Sequence, residues 1–371
     1  MKKTSDNLIC AVFCLFIGGM LLLFLLLPKE DFSAREKRYL EEAPTLNAES
    51  VFSGDFGSSA ESYAADHLPG RDFFVSLAAR LDRLAGLQSQ KEIVIGKSGR
   101  LYERAQRPNE KAVSVNMAVI NAFAEKLKCK TDFMLVPSAG YVLSEDIKGH
   151  VDPYMDKALI ENIYSHASEN IRPFDVTGLF AACDNKPALY YETDHHWTSL
   201  GAYTAYLAYA DQLSKNHPSV SDYDIESIDG FYCTTYSRAC FRDHPAESLE
   251  LWHSGGDFTV SGGEDEHAGL FYRERLADDD KYPVFLNGNR PLVTMTNHSP
   301  EAEGSILVVR DSFANCFGCF LADSFKTVTL VDLRYYKKSI SELALHGGYD
   351  NVLILYSLNN FLTDSNIIWL E

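Results

Sequence analysis

Short apolar segments alternate with helical patterns over most of the chain beyond residue 90. Strand-like apolar runs occur at residues 93–95, 133–137, 305–309, 327–331 and 352–355. Helical periodicity marks residues 115–128, 158–170 and 199–213. Because strands that alternate with helices are typical of parallel sheets covered on both faces, we predict an α/β fold for this part of the chain.

Two stretches depart from this alternation. Residues 214–297 are rich in Asp, Gly, Ser and Tyr and predict an irregular insertion or a substrate-facing region. Residues 29–90 are charged and predict a stalk, which ends in an amphipathic helix at 72–87 that packs on the main body. The apolar positions of this helix recur at helical spacing and are Phe73, Phe74, Leu77, Leu81 and Leu84. His67 and Arg71, beside Pro69, are expected to cap and pin this helix, with a ligand contact as the alternative.

Residues 8–27 form an uninterrupted apolar run without a charge, long enough to cross a membrane. Lys2 and Lys3 precede the run, which favours a cytoplasmic N-terminus and an extracytoplasmic remainder. A cleaved signal peptide is the alternative, although the run is long for one. The predicted organisation is a transmembrane anchor at 1–28, a stalk and docking helix at 29–90, and a catalytic domain at 91–371 with its insertion near 214–297.

Charge and cysteine content limit the classes of function. The 371 residues carry a formal charge of −18, which disfavours nucleic acid as a partner because phosphates are bound by cationic side chains. Six cysteines follow the anchor, an even number that permits disulfides without establishing them: Cys129, Cys183, Cys233, Cys240, Cys316 and Cys319. The C-x-x-C pair at 316 and 319 is interpreted as two small apolar residues of a helix, since a second thiol pair for a zinc site is missing. No cofactor and no metal are predicted.

The block Asp194-His195-His196-Trp197 is the first candidate for chemistry. In an extended segment, Asp194 and His196 would share one face, so that the carboxylate orients one imidazole nitrogen and leaves the other free as a base. His195 would then point the other way and serve a structural role.

A nucleophile is expected at Ser312, where the apolar strand at 305–309 runs into a polar turn and then a helix. Such a turn presents a hydroxyl at the carboxyl end of the sheet, the usual place of active sites in open α/β folds. Backbone N–H groups at the start of the helix would face a developing oxyanion. Gly288 and Asn289 are predicted to contribute to the oxyanion hole, and Arg334 to bind substrate. The alternatives are an ordinary Asn-Gly turn and a structural pair between Arg334 and Asp332.

The Asp-His-His-Trp block resembles the signature of DHHW-family proteins, which are related to alginate O-acetyltransferases within the SGNH-hydrolase-like superfamily. Further blocks of the family occur in the same order, at residues 66–72, 285–289, 310–313 and 332–336. The resemblance implies a flavodoxin-like core, a Ser-His-Asp triad, and O-acetylation of a secreted or wall polysaccharide. It also implies a multipass membrane O-acyltransferase as partner. His195 departs from the small or polar residue usual at that position in the acetyltransferases.

Several functions compete at this stage. The leading hypothesis is a serine-dependent O-acetyltransferase of the cell envelope that acts on a polysaccharide. An acetyl esterase would use the same acyl-enzyme and differ only in the acceptor. Asp-His-His also suits a metal-dependent phosphoesterase. A non-catalytic, glycan-binding scaffold is a further alternative, given the 20 Tyr and 22 Phe of the chain.

Overall fold

The computed structural model describes residues 2–33, 38–84, 89–90, 92–147, 151–239, 244–263, 265–278 and 280–370. The chain divides into two compact units. Unit 1 comprises Met1–Gln90 and Tyr236–Asp243, and unit 2 comprises Lys91–Thr235 and His244–Glu371.

The helices and strands are numbered in chain order. The helices are α1 Lys2–Leu26, α2 Ala48–Ser53, α3 Asp55–Asp66, α4 Arg71–Leu84, α5 Glu110–Lys126, α6 Ala139–Val142, α7 Asp156–Tyr164, α8 Thr177–Ala181, α9 Ser199–Gln212, α10 Thr234–Ala239, α11 Ala314–Ser324, α12 Ile340–Gly347 and α13 Leu358–Phe361. The strands are β1 Phe32–Ser33, β2 Arg38–Tyr39, β3 Ser89–Gln90, β4 Ile93–Ile95, β5 Leu101–Glu103, β6 Thr131–Val136, β7 Ile171–Asp175, β8 Asp224–Phe231, β9 Glu247–His253, β10 Phe258–Gly262, β11 Asp265–Ala268, β12 Leu292–Asn297, β13 Ser305–Arg310, β14 Thr327–Val331 and β15 Asn351–Ser357.

The main sheet of unit 2 has, among the described residues, eight strands in the order β11-β10-β12-β14-β13-β15-β6-β7. Strands β14, β13, β15, β6 and β7 are mutually parallel. Strands β12, β10 and β11 continue the sheet antiparallel beyond β14. The α/β prediction is confirmed, and the sheet is larger than expected because part of the predicted irregular insertion forms antiparallel strands.

Burial patterns explain why the inner parallel strands were visible in the sequence and the antiparallel ones were not. Every residue of β6 is buried, and β13 is buried from Ile306 to Arg310, as expected for strands covered on both faces. In β12, buried and half-buried positions alternate, which is the pattern of a strand with one well-covered face. Its Leu-Val-Thr-Met-Thr-Asn sequence therefore lacks a continuous apolar run.

The sheet separates two apolar clusters. Along β13, Ile306 and Val308 belong to one cluster, and Leu307 and Val309 to the other, because successive side chains of a strand point to opposite faces. Residues of α9 and α11 lie in the first cluster, and residues of α5, α12 and α13 in the second. The sheet is thus covered by helices on both faces.

Helix α7 ends at Tyr164, whereas periodicity predicts a helix to residue 170. The following residues turn into β7, which was not predicted and which lies at the end of the sheet. Pro173 within β7 is compatible with that position, since an edge strand does not need every N–H for pairing.

Helix α1 contains Asn7–Leu26, a 20-residue segment with a mean hydropathy of 2.9. By length and composition this segment is a candidate membrane span, and the same properties also suit a signal sequence.

The predicted helix at 72–87 is found as α4, and residues 85–87 lie outside the described part. The apolar side chains of Phe73, Leu77, Leu81 and Leu84 are exposed, and the packing of this helix on the main body stays a prediction.

Among the described cysteines that follow α1, Cys129, Cys183, Cys316 and Cys319 are free thiols. Cys316 and Cys319 are buried in α11, as the sequence interpretation had it. Cys240 lies outside the described residues.

Candidate active site

The nucleophile candidate, Ser312, lies in the turn between β13 and α11 and is 8% exposed. The carboxylate of Asp311 holds this turn. Its Oδ1 accepts the N–H of Phe313 at 2.9 Å. Its Oδ2 accepts the N–H and hydroxyl of Ser357 at 2.8 and 2.7 Å, and the side-chain amide of Asn360 at 2.8 Å. The turn is therefore fixed to the carboxyl end of the neighbouring strand β15.

The Asp-His-His-Trp block lies in a loop between β-bridge partners Tyr190 and Trp197. The sequence prediction assumed an extended segment, in which the two histidines would point to opposite sides. The loop bends instead between the bridge partners, so both histidines lie beside Asp194.

The two segments meet in a buried chain of hydrogen bonds. The Nδ1 atom of His196 lies 2.5 Å from Oδ2 of Asp194, and its Nε2 atom lies 2.7 Å from Oγ of Ser312. Asp194 is 0% and His196 is 4% exposed. With Nδ1–H donating to the carboxylate, Nε2 accepts the serine hydroxyl proton. The structure therefore brings together all three residues that the sequence predicts to be catalytic.

His195 takes a position that the sequence did not predict. Its Nδ1 atom lies 3.1 Å from Oδ1 of Asp194, and its ring centroid lies 4.0 Å from that of His196. The alignment of this contact is too poor for a good hydrogen bond, since neither atom has a well-formed partner among the described residues. The contact is therefore mainly electrostatic.

The three side chains shift one another's pKa values. Burial alone would raise the pKa of Asp194, but the two histidines outweigh it and hold this pKa well below the ordinary value. Burial would lower the pKa of His195, yet Asp194 and then Glu103 raise it to about 9. Burial, followed by the charge of His195, lowers the pKa of His196. At neutral pH, His196 is thus a neutral imidazole beside an ionised carboxylate, which is the state a general base needs.

Aromatic side chains fix the position of His196. The ring of Tyr282 stacks on it with a centroid distance of 4.1 Å and an angle of 19°. Phe313, next to the nucleophile candidate, contacts it at 4.9 Å. The indole N–H of Trp197 donates to the carbonyl of Phe313 at 3.0 Å. This bond ties the histidine loop directly to the serine turn.

Arg100 holds the histidine loop from one side. It is 5% exposed, and its guanidinium donates to the carbonyls of Tyr190, Tyr191 and Pro187 at 2.8, 2.9 and 3.1 Å. These bonds satisfy backbone oxygens that have no partner in a sheet or helix. The sequence analysis missed Arg100, because its partners lie about ninety residues further along the chain.

Glu247, the first residue of β9, holds the same loop through its N–H groups. Its Oε2 accepts the N–H of Glu192 at 2.6 Å. Its Oε1 accepts the N–H of Thr193 at 2.6 Å and a short bond from the Thr193 hydroxyl. Burial raises the pKa of the Glu247 carboxyl, while these bonds oppose the rise. Glu247 was also missed, because it lies in the segment predicted to be irregular.

The block at 285–289 makes a turn in which Gly288 has φ +75°. The N–H of Gly288 donates to the carbonyl of Phe285 at 3.1 Å, so this predicted oxyanion donor is engaged within the turn. The Oδ1 atom of Asn289 accepts from Arg310 at 3.0 Å and from Asn315 at 3.1 Å. The amide nitrogen of Asn289 therefore points away from both donors, and its part in an oxyanion hole stays a prediction.

Arg334 pairs with Asp332 in a bidentate arrangement, with bonds of 2.9 and 2.6 Å. The buried Arg310 lies 3.5 Å from the same carboxylate. The structural pairing considered for Arg334 is present, and its contact with substrate stays a prediction.

Asp194, His195 and His196 have potential ligand atoms within 4.8 Å of one another, which raises the question of a metal site. In this arrangement both ring nitrogens of His196 face partners within hydrogen-bond distance, Asp194 and Ser312. The Nδ1 atoms of the two histidines point at the carboxylate rather than at a shared centre. The donor set fits a proton-transfer chain better than a metal centre.

A serine, a histidine and an aspartate thus lie together at the carboxyl end of parallel strands in an α/β sheet, the usual place of active sites in open α/β folds. The family model described as DHHW protein matches residues 93–331. The match covers more than half of the chain, so the protein belongs to the DHHW family, as the resemblance in its sequence indicated.

Two solved structures share the fold, and a third is less similar. A DHHW family protein from Eubacterium siraeum, 19% identical, superimposes with a TM-score of 0.65 over 76% of this chain and 95% of its own. Bacillus cereus PatB1 with a sulfonyl adduct, 21% identical, gives 0.64 over 75% and 98%. The O-acetyltransferase domain of Pseudomonas putida AlgJ, 12% identical, gives 0.44 over 74% and 94%. No curated protein matches the sequence.

Proposed function

We propose that the protein is a membrane-anchored extracytoplasmic enzyme that transfers an acyl group, in particular acetyl, to hydroxyl groups of a cell-surface or secreted polysaccharide. The observation that carries this proposal is the buried hydrogen-bonded chain from Asp194 through His196 to Ser312. A serine hydroxyl is a weak nucleophile unless an adjacent base removes its proton, and His196 is positioned and neutral for that task.

In the first half-reaction, the Ser312 oxygen attacks the carbonyl carbon of an acyl ester donor, and Nε2 of His196 takes the hydroxyl proton. The resulting tetrahedral oxyanion needs hydrogen-bond donors, and the side-chain amide of Asn289 is our candidate for one of them. Collapse breaks the bond to the leaving alcohol, to which His196 returns its proton. The acyl group is then an ester of Ser312.

In the second half-reaction, His196 removes a proton from a sugar hydroxyl, which attacks the acyl-enzyme. Collapse returns the proton to Ser312 and releases the O-acylated sugar. Asp194 holds the tautomer and stabilises the imidazolium that forms in each half. If water took the place of the sugar, the same steps would make the protein an acetyl esterase.

The location and the partners belong to this proposal as well. Asn7–Leu26 would be a single-pass anchor, with Lys2 and Lys3 on the cytoplasmic side and the catalytic domain outside the cell membrane. In this proposal the chain is divided into an anchor at 1–28, a stalk at 29–90 and a catalytic domain at 91–371. The family resemblance supports a polysaccharide acceptor and a multipass membrane O-acyltransferase that supplies the acyl group.

The direct test uses the purified full-length protein with 4-nitrophenyl acetate. We expect release of nitrophenol and a mass increase of one acetyl group on the peptide that contains Ser312. Ser312→Ala and His196→Ala should abolish both signals, whereas Ser248→Ala, at an exposed serine on β9, should not. An acetylated Ser248 peptide, or unchanged turnover in Ser312→Ala, would refute the assignment of the nucleophile.

The acceptor is tested in cells. A strain without the protein should lose acetyl groups from one envelope or secreted polysaccharide, and Ser312→Ala should not restore them. Higher acetyl content in that strain would favour the esterase. Full restoration by Ser312→Ala would favour a scaffold role.

A further inference from the structure

Helix α4 of unit 1 turns its apolar side outward. Phe73, Leu77, Leu81 and Leu84 are 65%, 41%, 56% and 83% exposed. They follow one another at intervals of four, four and three residues, which places them in one stripe along a helix. In an amphipathic helix on the surface of a water-soluble protein, such a stripe would face the protein interior.

The covered side of the same helix is mostly polar, and the half-buried Val75 is the largest apolar side chain described on it. Ala79 is the buried residue of α4, at 4% exposure, and Ser76, Asp72 and Arg71 are half-buried. Arg71 also lies 3.6 Å from Asp66, at the end of α3. The amphipathic character of α4 is therefore inverted, with its polar side toward the protein and its apolar side away from it.

The outward stripe begins close to the end of the candidate membrane span. The ring of Phe24, in the last turns of α1, contacts the ring of Tyr63 in α3 with a centroid distance of 6.0 Å. A cavity of about 470 Å³ is lined by the residues that follow α1, from Leu27 to Glu30, together with those that lead into α4, from Asp66 to Asp72. The first turn of α4 is thus separated from the end of the span by no more than this cavity.

We propose that the stripe formed by Phe73, Leu77, Leu81 and Leu84 lies in the interface of the lipid bilayer that α1 spans. An amphipathic helix in this setting lies parallel to the membrane and buries its apolar side roughly 5–10 Å deep at the boundary between headgroups and acyl chains. The contact of α3 with the last turns of α1, and the cavity shared by the 66–72 segment and the end of α1, place the start of the stripe near the end of the span. The inverted amphipathic character then has a cause, because the surrounding medium on that side is lipid.

The proposal gives unit 1 a role that does not depend on the chemistry of Ser312. A single span leaves a protein free to tilt and to swing away from the membrane, whereas a second contact at the interface restricts that motion. The bilayer would thereby define the orientation of the polypeptide that leaves unit 1 at Gln90.

The test places tryptophan at adjacent positions of α4 in the full-length protein, reconstituted in vesicles of phosphatidylcholine and phosphatidylglycerol. Leu77→Trp lies in the stripe, and Ala78→Trp, one residue on, is exposed but outside it. Emission is recorded with lipids brominated in the upper acyl chain, and the signal of the three native tryptophans is subtracted with the parent protein. We expect blue-shifted emission at position 77 that brominated lipid quenches at least about twice as strongly as emission at position 78.

Three outcomes would overturn the proposal. Equal quenching at positions 77 and 78 would contradict the orientation of the helix. Blue-shifted emission at 77 without quenching would mean that protein, rather than lipid, covers the stripe. Red-shifted emission at both positions would mean that the stripe faces water. Leu81→Trp serves as a second probe of the stripe if Leu77→Trp does not fold, and it must behave as predicted for position 77.

Discussion

The serine turn and the histidine loop are joined by two hydrogen bonds, one at Ser312 and one at Phe313, but they are held in different ways. The serine turn continues β13 and is anchored by Asp311 to the end of β15, so it is part of the sheet. The histidine loop has little regular structure. Arg100 and Glu247 hold it instead through its backbone carbonyls and N–H groups. One half of the site is thus positioned by the fold, and the other by individual side chains that could be lost without loss of the sheet.

This difference predicts how stability and activity respond to substitution. Damage to the anchor of the serine turn should lower the free energy of unfolding and the activity together. Damage to the side chains that hold the histidine loop should lower activity more than stability. Each prediction below assumes the acyl-transfer activity proposed above and uses acetyl ester turnover as the measurement.

Asp311→Asn should have the largest effect. The asparagine side chain would turn its NH₂ group toward an N–H or O–H donor of Ser357, Asn360 or Phe313. The loss of these hydrogen bonds should lower the free energy of unfolding by about 3 kcal/mol. Turnover should fall below detection. Urea denaturation and ester turnover measure the two effects.

Asp350→Asn is the matched control for Asp311→Asn. Asp350 also accepts an N–H and a hydroxyl, those of Ser305, but it lies at an exposed site at the other end of β13. A loss of activity at full stability in Asp311→Asn would break the comparison.

Glu247→Gln should be next in size. Glutamine keeps one acceptor oxygen but presents an NH₂ group to the N–H of Glu192 or Thr193, which displaces the loop. A displacement of about 1 Å at a catalytic group can cost about 100-fold in rate, while the loss of stability should stay near 1–2 kcal/mol. Kinetics and urea denaturation of the same sample separate the effects. Glu250→Gln, on the same strand, should be nearly silent. Equal destabilisation by Glu247→Gln and Asp311→Asn would contradict the distinction.

Arg100→Lys should reduce kcat by about 10-fold, because one ammonium group cannot reach all the carbonyls that the planar guanidinium binds. The effect is smaller than that of Glu247→Gln, since lysine keeps the charge and some of the bonds. Lys97→Arg, on the same hairpin at an exposed site, is the control. No change in kcat would show that Glu247 and Trp197 hold the loop without Arg100.

His195→Gln should have the smallest effect at neutral pH, and it sharpens the electrostatic part of the comparison. The charge of His195 lowers the pKa of His196, so its removal should raise that pKa and move the acidic limb of the kcat/KM profile to higher pH. In the parent protein the charge itself is lost as pH rises through about 9. His217→Gln, which removes an exposed His–Asp pair, is the control. An unchanged acidic limb would mean that His195 does not act on His196.

The sequence predicted the elements whose signal is local. The continuous apolar runs of β13, β14 and β15 are explained by burial on both faces. Ser312 stood out because its block follows a strand and precedes a helix, and His196 stood out because it lies two residues after Asp194. The orientation of His195 could not be predicted, because it depends on the bend between Tyr190 and Trp197 and not on strand geometry.

The parts that were missed depend on contacts between distant segments. Arg100 and Glu247 resemble any other surface charge until the fold brings them to the loop. The predicted N–H donor of Gly288 is engaged by Phe285 only because of the turn that the block adopts. Strands β10 and β12 alternate in burial and therefore resembled an irregular segment.

The place of β15 in the sheet has a consequence for how the polypeptide acquires its structure during synthesis. Strand β15 lies between β6 and β13 and pairs with both, although Val136 is separated from Asn351 by most of unit 2. Until the ribosome has delivered residues 351–357, the β6–β7 pair and the β13–β14 pair have no strand to join them. The edges of β6 and β13 stay open during this period and are exposed to unwanted pairing. Closure of the sheet also brings Ser357 to Asp311, so the turn that carries Ser312 is fixed in position only after β15 has joined the sheet.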